Sequence, residues 1–203
     1  MRALRGFLCV AAVLLLGGIG SPARAQEAPA PEQNPIERAS DVIGGIGKCR
    51  QPGANPLNAT CSIQLFHEAG EILRAAGVEP EAAPNVWWTI YEGLGTGFAQ
   101  LGKFDKALSF YKLAGAITKA PPRAREESAY YVGRVQHELG MIDEALHTYD
   151  TLFTKNNAWI EQAERDPLLA DLRRTEQWQN MMRYYIKVQQ REKGASPPAK
   201  PEE

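Results

Sequence analysis

The sequence predicts an all-α protein in which antiparallel helix pairs stack into an α-α superhelix, and three observations predict it. The segment "LGKFDKALSFYKLA" (101–114) recurs as "LGMIDEALHTYDTL" (139–152) at an offset of 38, with Leu, Gly, Asp, Ala, Leu and Tyr in register. Self-similarity at such a period marks stacked supersecondary units. Between residues 84 and 157 the apolar residues follow helical spacing, and the breaks fall at Gly102, Pro121-Pro122 and Gly140, where one helix has to turn back on the next.

The chain opens with "MRALRGFLCVAAVLLLGGIGSPARAQ". Arg2 and Arg5 precede an apolar run from Phe7 to Ile19, and Ala23-Arg24-Ala25 places small residues where a signal peptidase reads. Residues 1–25 are therefore expected to be a signal peptide cleaved after Ala25, giving a periplasmic or secreted protein of bacterial type. The run is short for a bilayer span and is broken by Gly17 and Gly18. Residues 26–35, "QEAPAPEQNP", have the Ala/Pro/Glu composition of a mobile tether. Losing Arg2, Arg5 and Arg24 leaves 20 basic against 24 acidic residues, a net charge of −4. That balance argues against a nucleic-acid surface.

Residues 36–84 read as an N-terminal cap. Cys49 and Cys61 are the only cysteines left after cleavage, an even pair in a chain headed for an oxidising compartment, so a disulfide is expected between them. Pro52, Gly53 and Pro56 exclude a regular helix across the segment they enclose. One period before the first copy, "IQLFHEAGEILRAA" (63–76) places Phe66, Ala69, Leu73 and Ala76 at the equivalent positions. This predicts a degenerate repeat in which the second helix is kept and the stapled loop replaces the first, with a short helix over 36–46 ahead of it.

The first full unit, 85–121, has helices over 85–101 and 104–119; the second, 122–157, has them over 123–139 and 142–155. Gly95 and Ala107, like Gly133 and Ala145, are small enough to let paired helices approach closely, while Phe104 and Tyr111, or Ile142 and Tyr149, fill the space beside them. Residues 158–192 are expected to be capping helices, with Leu168, Leu172 and Trp178 closing the array and Thr175 capping a final helix that carries Met181, Met182 and Tyr185. Residues 193–203 are a polar, Pro-rich tail.

Leu94-Gly95, Phe98, Gly102, Phe104, Ala107, Tyr111 and Ala114, followed by Val132-Gly133, Gly140, Ile142, Ala145 and Tyr149, make the chain resemble the tetratricopeptide repeat (TPR) family. It departs from the family pattern at Gln136, which stands where Phe98 is, at Leu152, and in a period of 38 where the common form has about 34. The resemblance implies that the first helix of each pair lines a concave side that binds an extended peptide or a partner helix. Its inward positions would be Thr89, Glu92, Thr96, Ala99 and Gln100, then Glu127, Tyr130, Arg134, His137 and Glu138. Family members that grip a terminal carboxylate use lysines and asparagines, which Glu92 and Thr96 do not supply. Tyr130 could hold an apolar anchor and Arg134 an acid.

No catalytic constellation emerges from the sequence. "HEAGE" at His67 lacks the second His of a zinc hydrolase helix, His137 and His147 fall on different helices, and Gly93, Gly95 and Gly97 lie in a helical pattern with no strand before them. Glu126-Glu127 sit at a helix start, where the macrodipole accounts for them. The expected function is an exported adaptor or scaffold that binds a protein partner, with no cofactor and no metal. The alternatives are an envelope enzyme or metal-dependent accessory protein resting on His67, His137 and His147, and a self-assembling repeat module.

Overall fold

The computed structural model describes residues 33–50 and 58–194. Among the described residues there are nine α-helices, two short 3₁₀ turns and no strand. The expected signal peptide, most of the tether, the interior of the cysteine loop and the end of the tail lie outside them.

Helix α1 (Pro35–Gly44) starts at Asn34, whose side chain accepts from the Ile36 amide, with Pro35 in the first turn. A 3₁₀ turn, Gly45–Cys49, carries the chain to the disulfide. Helix α2 (Ala59–Ala75) begins four residues before the expected start at 63, because Asn58 caps it by accepting from the Cys61 amide at 3.0 Å. The Cys49–Cys61 bond, with its Cα atoms 5.5 Å apart, ties the 3₁₀ turn to the first turn of α2. Here the sequence reading needs correction: the loop does not replace a helix, because α1 packs on α2 and also reaches α3. Its one buried side chain is Ala39.

The next four helices form two hairpins: α3 (Pro84–Gln100) with α4 (Phe104–Ala116), and α5 (Pro122–Glu138) with α6 (Ile142–Lys155). Both turns need left-handed backbone, which only glycine adopts without strain: Gly102 has φ 67° and Gly140 φ 74°. In each, two amides bond back to the last turn, Gly102 to Ala99 and Lys103 to Phe98, then Gly140 to His137 and Met141 to Gln136. Helix α4 stops three residues short of the expected 119 because Ile117 turns extended and is buried with Ala120 in the core shared by α2 and α3.

Small residues set the distance between helices. Ala107 and Ala145 are fully buried. A Cβ on Gly95 would lie 2.7 Å from the Tyr111 ring, and one on Gly133 would lie 2.8 Å from the Tyr149 ring. The sequence reading saw Gly93 and Gly97 only as helical positions; they are a second seam, where the Phe66 ring and the Ile63 side chain of α2 fill the space a Cβ would take.

Successive hairpins are also joined by polar links at matching positions. The Trp88 indole donates to the Ala124 carbonyl at 3.0 Å and to Ser128 Oγ at 2.9 Å. One period later, Glu126 accepts from Trp159 Nε1 at 2.9 Å and from Asn156 Nδ2 at 2.7 Å. Glu81 adds a link between loops by accepting from the Thr118 and Lys119 amides.

Helix α7 (Ala158–Arg165), a 3₁₀ turn (Pro167–Leu169), α8 (Ala170–Arg173) and α9 (Glu176–Gly194) follow. Thr175 Oγ1 accepts from the Trp178 amide at 3.3 Å and donates to the Leu172 carbonyl at 2.7 Å. Trp159, Leu169, Leu172, Trp178 and Tyr185 pack on Tyr149, Leu152 and Phe153 in one cluster. Leu168 was expected in that cluster but is 49% exposed, and Leu169 is buried instead. The Asp166 side chain accepts from the Leu168 amide and sets the 3₁₀ turn, which rotates the two leucines relative to a continuous helix. No helix of the described residues is long and apolar enough to cross a membrane.

Candidate functional site

A groove of about 600 Å³ lies between α3 and α5. Of the proposed partner-binding residues it gathers Glu92, Thr96 and Gln100 from α3, and Arg134 and Glu138 from α5. Ala99, also named as inward, lies in the same wall; Phe104 and Tyr111 of α4 and Leu168 of the 3₁₀ turn complete it.

Its polar centre is a continuous network. Thr96 Oγ1 donates to Glu92 Oε1 at 2.9 Å and stands 2.9 Å from the Tyr111 hydroxyl. The rings of Tyr111 and Tyr131 stack at 5.0 Å between centroids. The Tyr131 hydroxyl lies 3.4 Å from Glu127 Oε1, which places a carboxylate at each end of the stacked pair. Burial pushes the Glu92 carboxyl above its ordinary range, and the negative charge of Glu127 adds to that. Burial also raises Tyr131, to about 12, and raises Tyr111, so both stay neutral hydroxyls at physiological pH.

The groove's cation is already engaged. Arg134 Nε lies 3.5 Å from Asp166 Oδ2, and its guanidinium sits 5.7 Å from the centre of the Tyr131 ring. Asp166 also accepts the Tyr130 hydroxyl at 2.7 Å. Glu92 and Glu127 thus face one another across two neutral tyrosines, with the nearby arginine directed to a third carboxylate.

Tyr130 does not present the apolar anchor surface expected of it. It is 1% exposed, with its ring stacked 5.4 Å from Trp159 and edge-on to Tyr149. The doublet Tyr130-Tyr131 made the two rings indistinguishable in sequence; successive helical residues point about 100° apart, and α7 covers the first while the second borders the groove. His137 is half-buried, its Nδ1 enclosed and without a hydrogen-bond partner among the described residues. Thr89 donates to the Asn85 carbonyl of its own helix. Tyr111, Tyr131, Asp166 and Leu168 are site residues that the sequence reading missed. The first was assigned to repeat packing, and the last two come from the capping segment, whose approach to α5 no periodicity encodes.

Among the described residues no three His, Cys, Asp or Glu side chains converge as a metal site would require. Comparison with protein families, curated proteins and solved structures finds no match to this chain.

Proposed function

We propose that this protein is an exported TPR-like adaptor whose groove between α3 and α5 holds a partner segment that presents a lysine or arginine. The observation that carries the reading is the Glu92–Glu127 arrangement: two carboxylates flank a stacked tyrosine pair, with Arg134 turned to Asp166. A cation entering there offsets the repulsion that Glu92 bears and gains the π face and hydroxyls of the tyrosines. This departs from an arginine that recruits an acid, because Arg134 already has one. The Cys49–Cys61 bond supports export, since such bonds persist in oxidising compartments.

The test is site-specific photo-crosslinking in the native envelope from Gln100, at the groove, and from Ser109, exposed on α4. Crosslinks expected at Gln100 and absent at Ser109 should disappear in Glu92→Gln/Tyr131→Ala. An identical product set in the wild type and that variant would remove the groove assignment. Tyr130→Ala is unsuitable as the control, because it empties the core beneath α7.

A further inference from the structure

A second groove, of about 670 Å³, opens on the face of α5 opposite the first, between α4 and α6. On α5 it takes Pro122, Arg125, Glu126, Ala129 and Val132, whereas the first groove takes Tyr131, Arg134, Val135 and Glu138. Successive helical residues step by about 100°, so these two sets lie on opposed sides of the helix. The apolar lining of the second groove is Tyr111, Ala129, Val132 and Leu152, with Gly115 contributing no side chain. Polar groups stand around it: Lys112 from α4, Arg125 from α5, and His147, Thr148, Thr151 and Lys155 from α6.

The charges in this groove are unbalanced. Lys112, Arg125 and Lys155 form no ion pair within 4 Å among the described residues, in a chain with a small negative formal charge. Glu126 is the one carboxylate in the lining, and it already accepts the Trp159 indole N–H and the Asn156 amide. The first turn of α5, a 17-residue helix, opens at Pro122 with no side-chain cap on its amides, so its dipole adds to the positive field.

We propose that this groove binds an amphiphile with a single anionic head and an apolar body, the head held among Lys112, Arg125 and Lys155 and the body lying over Gly115, Ala129, Val132 and Leu152. The volume falls in the range of small-molecule sites, roughly 300–1,000 Å³, which favours such a ligand over a protein surface. The inference is independent of the partner-binding reading, since the two grooves share only Tyr111.

The test is calorimetric titration of the purified protein with decanoate below its aggregation threshold, beside 1-decanol, decyltrimethylammonium, inorganic phosphate and a short acidic peptide. Decanoate is expected to bind at one site, and decanol and decyltrimethylammonium at least about tenfold more weakly, because each lacks the charge-assisted bonds to the head. Phosphate and the acidic peptide, which lack the apolar body, should give no measurable binding. Lys112→Glu/Lys155→Glu should weaken decanoate at least about tenfold. Gly115→Leu should abolish decanoate binding while leaving the helical circular dichroism unchanged, since a Cβ there meets only Ser128, at an ordinary 3.5 Å. No binding of decanoate, equal binding of decanol, binding of phosphate or the acidic peptide as tight as that of decanoate, or an undiminished affinity in a folded Gly115→Leu protein would each overturn the proposal.

Discussion

The two hairpins place the same tyrosine against the same glycine and put it to different uses. In the second, Tyr149 is fully buried, enclosed by Tyr130, Phe153 and Trp178, and its hydroxyl finds only the Tyr130 carbonyl at 3.4 Å. In the first, Tyr111 packs against Gly95 just as tightly, yet its ring borders both grooves and its hydroxyl pairs with Thr96. The difference arises one period apart at a single position. Tyr130 stands where Glu92 is, and the capping segment covers Tyr130, whereas Tyr131 of the following hairpin stacks on Tyr111 and leaves Glu92 at the edge of open space. Repetition supplies the scaffold, and the point at which it lapses supplies the chemistry.

The comparison can be broken most forcefully by truncation. Tyr149→Ala should lose about 3–5 kcal/mol in urea unfolding, the usual range for deleting a core aromatic, and Tyr111→Ala less, because its site already opens to grooves that admit water. Equal losses would show that the two rings are alike. Next come Gly133→Ala and Gly95→Ala. Each drives a Cβ to within 3 Å of a ring, and strain of about 1–3 kcal/mol is partly offset by about 1 kcal/mol of helix propensity. Gly133→Ala should be the more damaging, since the Tyr149 ring has no groove to move into. Smaller still, Tyr111→Phe should lose about 0.5–1.5 kcal/mol with its Thr96 bond, while Tyr149→Phe should stay within about 0.5 kcal/mol of wild type.

The finest distinction is one of pH. The raised folded-state value of Glu92 means that its contribution to stability is fully present below its ordinary 4.5 and is lost as pH rises through the raised value. Glu92→Gln should therefore gain on the wild type from about pH 4.5 upward, when urea midpoints are compared across pH. A constant difference between the two would mean that Glu92 is not desolvated.

The helices were legible because periodicity and punctuation agree: glycine and proline bound α3 to α6 to within a residue or so, apart from the early end of α4. The cap was less legible, since Asn58 and the short α1 leave weak signals beside a proline-rich loop. At the candidate site, Glu92, Thr96, Gln100, Arg134 and Glu138 could be placed on facing helix stripes from spacing alone. The Tyr130 and Tyr131 roles could not, because which ring meets solvent depends on where α7 returns. Asp166 and Leu168 reach the groove through that same return, a long-range event set by buried tryptophans.

The links at Trp88 and Glu126 are equivalent in position and opposite in kind. The first offers a donor to the helix ahead, and the second offers an acceptor. Hairpins of this array are consequently not interchangeable modules: a copy of one inserted at residue 121 would confront an indole or a carboxylate with the wrong counterpart. Grafting or shuffling segments would succeed only where both halves of a junction travel together, which gives the stack a grammar as well as a direction.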